Sequence, residues 1–114
     1  MKNFEVSINV RNMIYSIKAK FIEEKMKEFF QMLNNGTIEK QKPDGAEILN
    51  SMKRARITEP GLIEWSEMCF CSPPLKHERQ TVYDQFFSEM EIKIIDDYEE
   101  SEGESFFDYL KSLG

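Results

Sequence analysis

The chain has 114 residues, 40% of them hydrophobic and 32% charged, with nine Phe, four Tyr and one Trp. That content supports one buried core without staples, is too short for two, and is too aromatic for a disordered chain. The formal charge of −6 is unevenly divided, with 11 Lys and Arg against 7 Asp and Glu in residues 1–57 and 4 against 14 in residues 58–114, which argues against general affinity for nucleic acid because that needs a connected basic surface.

No stretch reaches the unbroken apolar length of a secretory signal or a membrane span, so a cytoplasmic chain without membrane association is expected. The two cysteines, Cys69 and Cys71, are too few for a disulfide framework and too close for an unstrained bridge, which favours reduced thiols.

"FEVSINV" places Phe4, Val6, Ile8 and Val10 on one side of a half-buried strand. "MIYSIKAKF" alternates again through Tyr15, Ile17, Ala19 and Phe21, with Asn12 supplying the turn of a hairpin. From Ile22 the period becomes helical through Met26, Phe29, Phe30 and Leu33, and Asn34-Asn35-Gly36 ends that helix. Asp44 is placed to cap a second helix that buries Ala46, Ile48, Leu49 and Met52 and ends in Lys53, Arg54 and Arg56, cations that a helix C-terminus favours.

Pro60-Gly61 marks a turn into a strand whose Ile63, Trp65, Cys69 and Cys71 share one face. Ser72 and Pro73 resemble a cap and first helical residue, followed by an apolar stripe through Leu75, Val82, Tyr83, Phe86, Phe87 and Met90. "EMEIKIID" reads as a last strand with Ile92 and Ile94 inward, and "DDYEESEGE" as a solvated, mobile loop. A terminal helix then docks Phe106, Leu110 and Leu113. The expected fold is a single small α+β domain covering residues 1–114. It has an N-terminal β-hairpin and further strands in an antiparallel or mixed sheet covered by three to four helices, a mobile acidic loop at about 96–104 and a docking helix at about 105–113.

Chemistry concentrates in "MCFCSPPLKHER". Cys69, Cys71 and His77 offer three zinc ligands, with Glu67 or Glu78 able to complete four, but helical geometry turns His77 to water beside Thr81 and Asp84, away from the strand thiols. A reactive thiolate at Cys71 is favoured by nearby cations, yet Pro73 and Pro74 lack the N–H groups that steady an anion. Lys76, His77 and Arg79 crowd the first turn of a helix, where cations oppose the dipole, and an anionic ligand or the acidic segment Asp96–Glu104 could offset them.

Trp65 is either core or an exposed anchor. The pairs Phe29-Phe30, Phe86-Phe87 and Phe106-Phe107 each put one ring in the core and a second near the surface, where it could serve a homodimer or another protein. There is no Gly-rich phosphate loop or Ser-His-Asp arrangement, and no carboxylate stands out as set in an apolar context.

The expected function is therefore a non-enzymatic binding or adaptor module without a cofactor, contacting a protein partner through charge and exposed aromatics, with Trp65, Lys76, His77 and Arg79 as its binding residues and nucleic acid disfavoured. The alternatives are a thiol- or zinc-dependent protein centred on Cys69, Cys71 and His77, and an acidic mimic of a nucleic-acid backbone.

Overall fold

In a computed structural model, residues 13–69 and 73–113 are described. The expected strand at Phe4–Val10, its turn at Asn12, and the expectations for Cys71 and Ser72 lie outside them. The alternation of "IYSIKAKF" forms β1 (Ile14–Phe21), with Tyr15, Ile17 and Ala19 turned into the core. A 3₁₀ turn at Glu23–Lys25 leads into α1 (Met26–Asn34), which buries Met26, Phe29 and Leu33, and Gly36 beyond it adopts the left-handed φ of 87°.

The next helix, α2 (Gly45–Arg54), buries Gly45, Ile48, Leu49, Ser51 and Met52. Ala46, expected inside, is exposed because the buried stripe includes its neighbour Gly45. β2 (Arg56–Glu59) and β3 (Leu62–Met68) follow as a hairpin around Gly61, whose φ is 80°.

Residues 76–86 form one helix, α3, built from an α-turn at Lys76–Glu78, a π segment at Arg79–Tyr83 and a last α-turn at Asp84–Phe86. β4 (Phe87–Ile95), the short β5 (Glu104–Ser105) and α4 (Phe106–Ser112) complete the order. Ser105 caps α4 by accepting the Asp108 N–H at 3.2 Å.

Among the described residues the sheet is five-stranded and wholly antiparallel, in the order β4-β1-β3-β2-β5, so the fold is α+β. Both sides of β1 are taken, with Ile17 opposite Trp65 of β3 and opposite Ile92 of β4. Opposite residues share a face, so Tyr15, Ile17, Ala19, Ile63 and Trp65 line one apolar side. Phe29 stacks on Phe86 at 4.6 Å between ring centroids, and Phe87 stands 5.6 Å from Trp65.

Three expectations change here. α3 begins at Lys76 rather than at Pro73, with Leu75 as its N-cap in the left-handed region at φ 61°. The apolar stripe does not stay helical to Met90, since Phe87 is already extended (φ −131°, ψ 155°), and that switch buries both Phe86 and Phe87. Ile94 shares the face of Tyr15 but lies on the outermost strand, where it is 58% exposed.

Gly45 fixes the approach of α2 to the preceding loop, because a Cβ there would sit 2.1 Å from the Ile38 carbonyl oxygen and 2.5 Å from that of Glu39. The Gly45→Ala chain should lose roughly 2 kcal/mol in urea unfolding through this overpacking; a loss under about 0.5 kcal/mol, the level of an indifferent surface change, would contradict the tight approach.

Candidate functional site

Period-2 alternation along β3 turns Ile63, Trp65, Glu67 and Cys69 to the same side, and that places a carboxylate inside the core. Glu67 is 0% exposed. Its Oε1 accepts hydrogen bonds from Trp65 Nε1 at 2.8 Å and from the Tyr83 hydroxyl at 2.5 Å, while its buried Oε2 has no partner among the described residues. Burial pushes the Glu67 carboxyl well above its usual range, the two donors pull the other way, and the neighbouring Glu78 and Glu47 push further up. Tyr83 is likewise held well above the usual phenol value by burial and by Glu67, so it stays a donor. The expectation that no carboxylate sits in an apolar context thus fails at Glu67, which Trp65 and Cys69 flank on their shared face.

Trp65 is 3% exposed and its N–H is spent on Glu67, so it is a core residue and not a surface anchor. Cys69, also buried, directs its thiol at Glu78 Oε1 across 3.6 Å. His77 lies on a different side of α3, its Nδ1 against the Asp44 carboxylate at the start of α2. Asp44 makes no capping bond to its own helix. His77 is therefore half-buried against Asp44 instead of facing water beside Asp84, whose carboxylate takes Arg79 Nε at 3.2 Å. Among the described residues no three His, Cys, Asp or Glu side chains converge to hold a metal ion.

Residues three and four apart share a helix face, and Lys76, Arg79 and Gln80 accordingly point together toward β4. With Pro73, Pro74, Asp84 and Ile92 they line a cleft of about 400 Å³ between α3 and the edge strand. Lys76 has no ion pair among the described residues. The three basic residues are thus placed unequally: His77 meets Asp44, Arg79 meets Asp84, and Lys76 stays at the cleft. The π segment lies at this place, with the Thr81 hydroxyl donating to the His77 carbonyl at 2.9 Å inside the widened turn.

The acidic segment folds back, but onto Arg54 and Arg56 instead of Lys76, His77 and Arg79. The Ser66 hydroxyl donates to the Glu99 carbonyl at 2.6 Å and accepts the Glu99 N–H at 2.9 Å, while Arg56 reaches Glu100 at 3.2 Å. Arg54 lies 4.6 Å from the Tyr98 ring centroid, and the Tyr98 hydroxyl donates to Glu47. Phe30 and Phe107 meet edge to face at 5.8 Å, and both rings are half-buried. Of the three aromatic pairs, none offers a fully exposed ring.

No protein-family model, curated protein or solved structure matches this chain.

Proposed function

We propose that the protein is a non-enzymatic binding module that recognises an acidic segment of a partner protein at the cleft between α3 and β4. The observation that supports this reading is the composition of that cleft: Lys76, an ammonium without an ion pair among the described residues, beside the Arg79 guanidinium, whose Nε is held by Asp84 in the same lining, together with apolar Pro73, Pro74 and Ile92. Two cations over an apolar floor suit a carboxylate flanked by an apolar side chain. They are too few to track a nucleic-acid backbone across a chain of net charge −6. Charge therefore carries recognition, and exposed aromatics do not. Mimicry of a nucleic acid has less support, because the acidic segment is fastened to the chain itself, through the Glu99 backbone at Ser66 and the Glu100 carboxylate at Arg56.

Displayed random peptides selected on the immobilised protein should be enriched in Asp or Glu next to apolar residues. Their affinity should drop about tenfold in the K76E/R79E variant, a change of about 1.4 kcal/mol, and should weaken with added salt because both cations are solvent-accessible. Selected peptides lacking acidic residues, or binding indifferent to both substitutions, would reject the reading.

A further inference from the structure

We infer that two copies of the chain pair along β4 in an antiparallel, two-fold arrangement centred on Ile92, bringing their two clefts to one seam; the second half of this inference rests on the cleft reading above. β4 is an outer strand of the sheet, and among the described residues its far side meets no other strand. Such an edge is a template for another strand. A bulge limits the usable length: the pairing with β1 shifts between Lys18 and Lys20, and Glu89 within it takes φ 50°. Beyond the bulge the register is regular, with Lys18, Ile17, Ser16, Tyr15 and Ile14 opposite Glu91, Ile92, Lys93, Ile94 and Ile95.

The stretch Met90-Glu91-Ile92-Lys93-Ile94, which starts at the last residue of the bulge, has a pattern that is its own complement in reverse. A two-fold axis through Ile92 and perpendicular to the sheet sets Glu91 opposite Lys93 of the second copy, Lys93 opposite Glu91, Met90 opposite Ile94, and Ile92 opposite itself. The two ion pairs fall on the solvent face, with Ser16 and Lys18, and the apolar pairs fall on the helix side, with Ile17 and Tyr15. Neighbouring registers are disfavoured, because centring on Glu91 faces carboxylate with carboxylate and centring on Lys93 faces ammonium with ammonium. Neither Glu91 nor Lys93 has an ion pair within its own chain among the described residues, so both charges are available. Ile94, 58% exposed, is the apolar side chain most in need of cover, and this pairing supplies Met90 to it.

Ile92 belongs both to the seam and to the cleft lining. Pairing at Ile92 therefore sets the two clefts side by side, with Lys76 and Arg79 from each copy on the helix side of the extended sheet. A short strand contact of this kind should be weak, with a Kd on the order of 10–100 μM.

Sedimentation velocity on the full chain between roughly micromolar and millimolar concentration should move the species from 13.5 kDa to twice that mass. K93E places introduced carboxylates against Glu91 on both sides of the axis and should weaken the dimer about tenfold or more, whereas E91K/K93E, which exchanges the charges, should restore it. Matching far-UV circular dichroism of the variants excludes misfolding as the cause. A chain that stays monomeric throughout, or a dimer that K93E leaves intact, would overturn the pairing. K76E/R79E separates the two claims: a monomer that still binds selected acidic peptides through Lys76 and Arg79 overturns only the pairing, and a charge-swap-responsive dimer that binds none overturns only the cleft reading.

Discussion

Replacing Glu67 with alanine should destabilise the protein by about 4 kcal/mol, since it strips the acceptor from two buried donors at roughly 1–3 kcal/mol each and leaves a void besides. The donors are Trp65 Nε1 and the Tyr83 hydroxyl, both bonded to the same oxygen of a residue with no exposed surface. Glu67→Gln behaves differently, because the amide oxygen still accepts both bonds and no charge needs to be buried.

The comparison of the wild type with Glu67→Gln across pH isolates this carboxyl. Its native value is raised above the ordinary 4.5, chiefly by burial. Below pH 4.5 both folded and unfolded chains hold the proton, and the stability associated with the site is fully present. As pH rises from there toward the raised native value, the unfolded chain releases the proton while the folded chain keeps it, so stability falls, with a limiting slope of about 1.4 kcal/mol per pH unit. Urea titrations of the two chains from pH 4 to pH 9 should show that slope in the wild type and not in Glu67→Gln, so that the difference between the two chains changes with pH. Parallel pH profiles would mean that Glu67 titrates as it does unfolded, contrary to its burial.

Glu67 also shows where sequence patterning reaches its limit. The alternation of "LIEWSEM" assigns Ile63, Trp65 and Cys69 to one face, and Glu67 between them belongs there by the same period, but an acidic residue in a chain rich in acids reads as solvated. Its burial is made tolerable by two donors, Trp65 Nε1 two positions away and the Tyr83 hydroxyl sixteen positions away on α3. Local periodicity sees neither Tyr83 nor Asp44, which lies thirty-three positions from His77. Strands β1 and β3 and helices α1, α2 and α4 were legible because each carries an apolar stripe of a single period. The boundary between α3 and β4 was not: Phe86 and Phe87 are buried on either side of a switch from helix to strand, and such a pair continues a helical stripe equally well on paper.

The second large effect concerns the anchor of the acidic segment. Arg54→Ala should cost about 2–3 kcal/mol, because its guanidinium serves several polar groups at once and such charged hydrogen bonds are worth roughly 1.5–3 kcal/mol. Arg54 Nη2 lies 2.7 Å from the Ser66 carbonyl oxygen, 3.2 Å from Ser51 Oγ and 3.3 Å from Glu47 Oε2, and the group faces the Tyr98 ring. Its loss removes the cation next to a Glu47 carboxylate that also holds the Met68 N–H and the Tyr98 hydroxyl. Amide exchange should accelerate about tenfold at Tyr98 and Glu99 in Arg54→Ala, with stability falling in parallel. Arg54→Lys should recover part of both, since the three contacts converge on the single nitrogen Nη2, where an ammonium also offers donors, while the contact of the guanidinium with the Tyr98 ring is lost. Unchanged exchange at both amides would show that Ser66 and Arg56 hold the segment without Arg54.

These two clusters hold the fold: the first is closed to solvent, and in the second Tyr98 and the Glu100 carboxylate reach the surface. Recognition at the α3–β4 cleft is our proposal, and its most direct test is a titration of a selected acidic peptide into ¹⁵N-labelled protein. The amide signals of Lys76, Arg79, Gln80 and Ile92 should move together and saturate together. If they stand still while signals around Arg54 and Arg56 shift instead, the recognition surface lies at the acidic segment's own anchor and the cleft has been assigned wrongly.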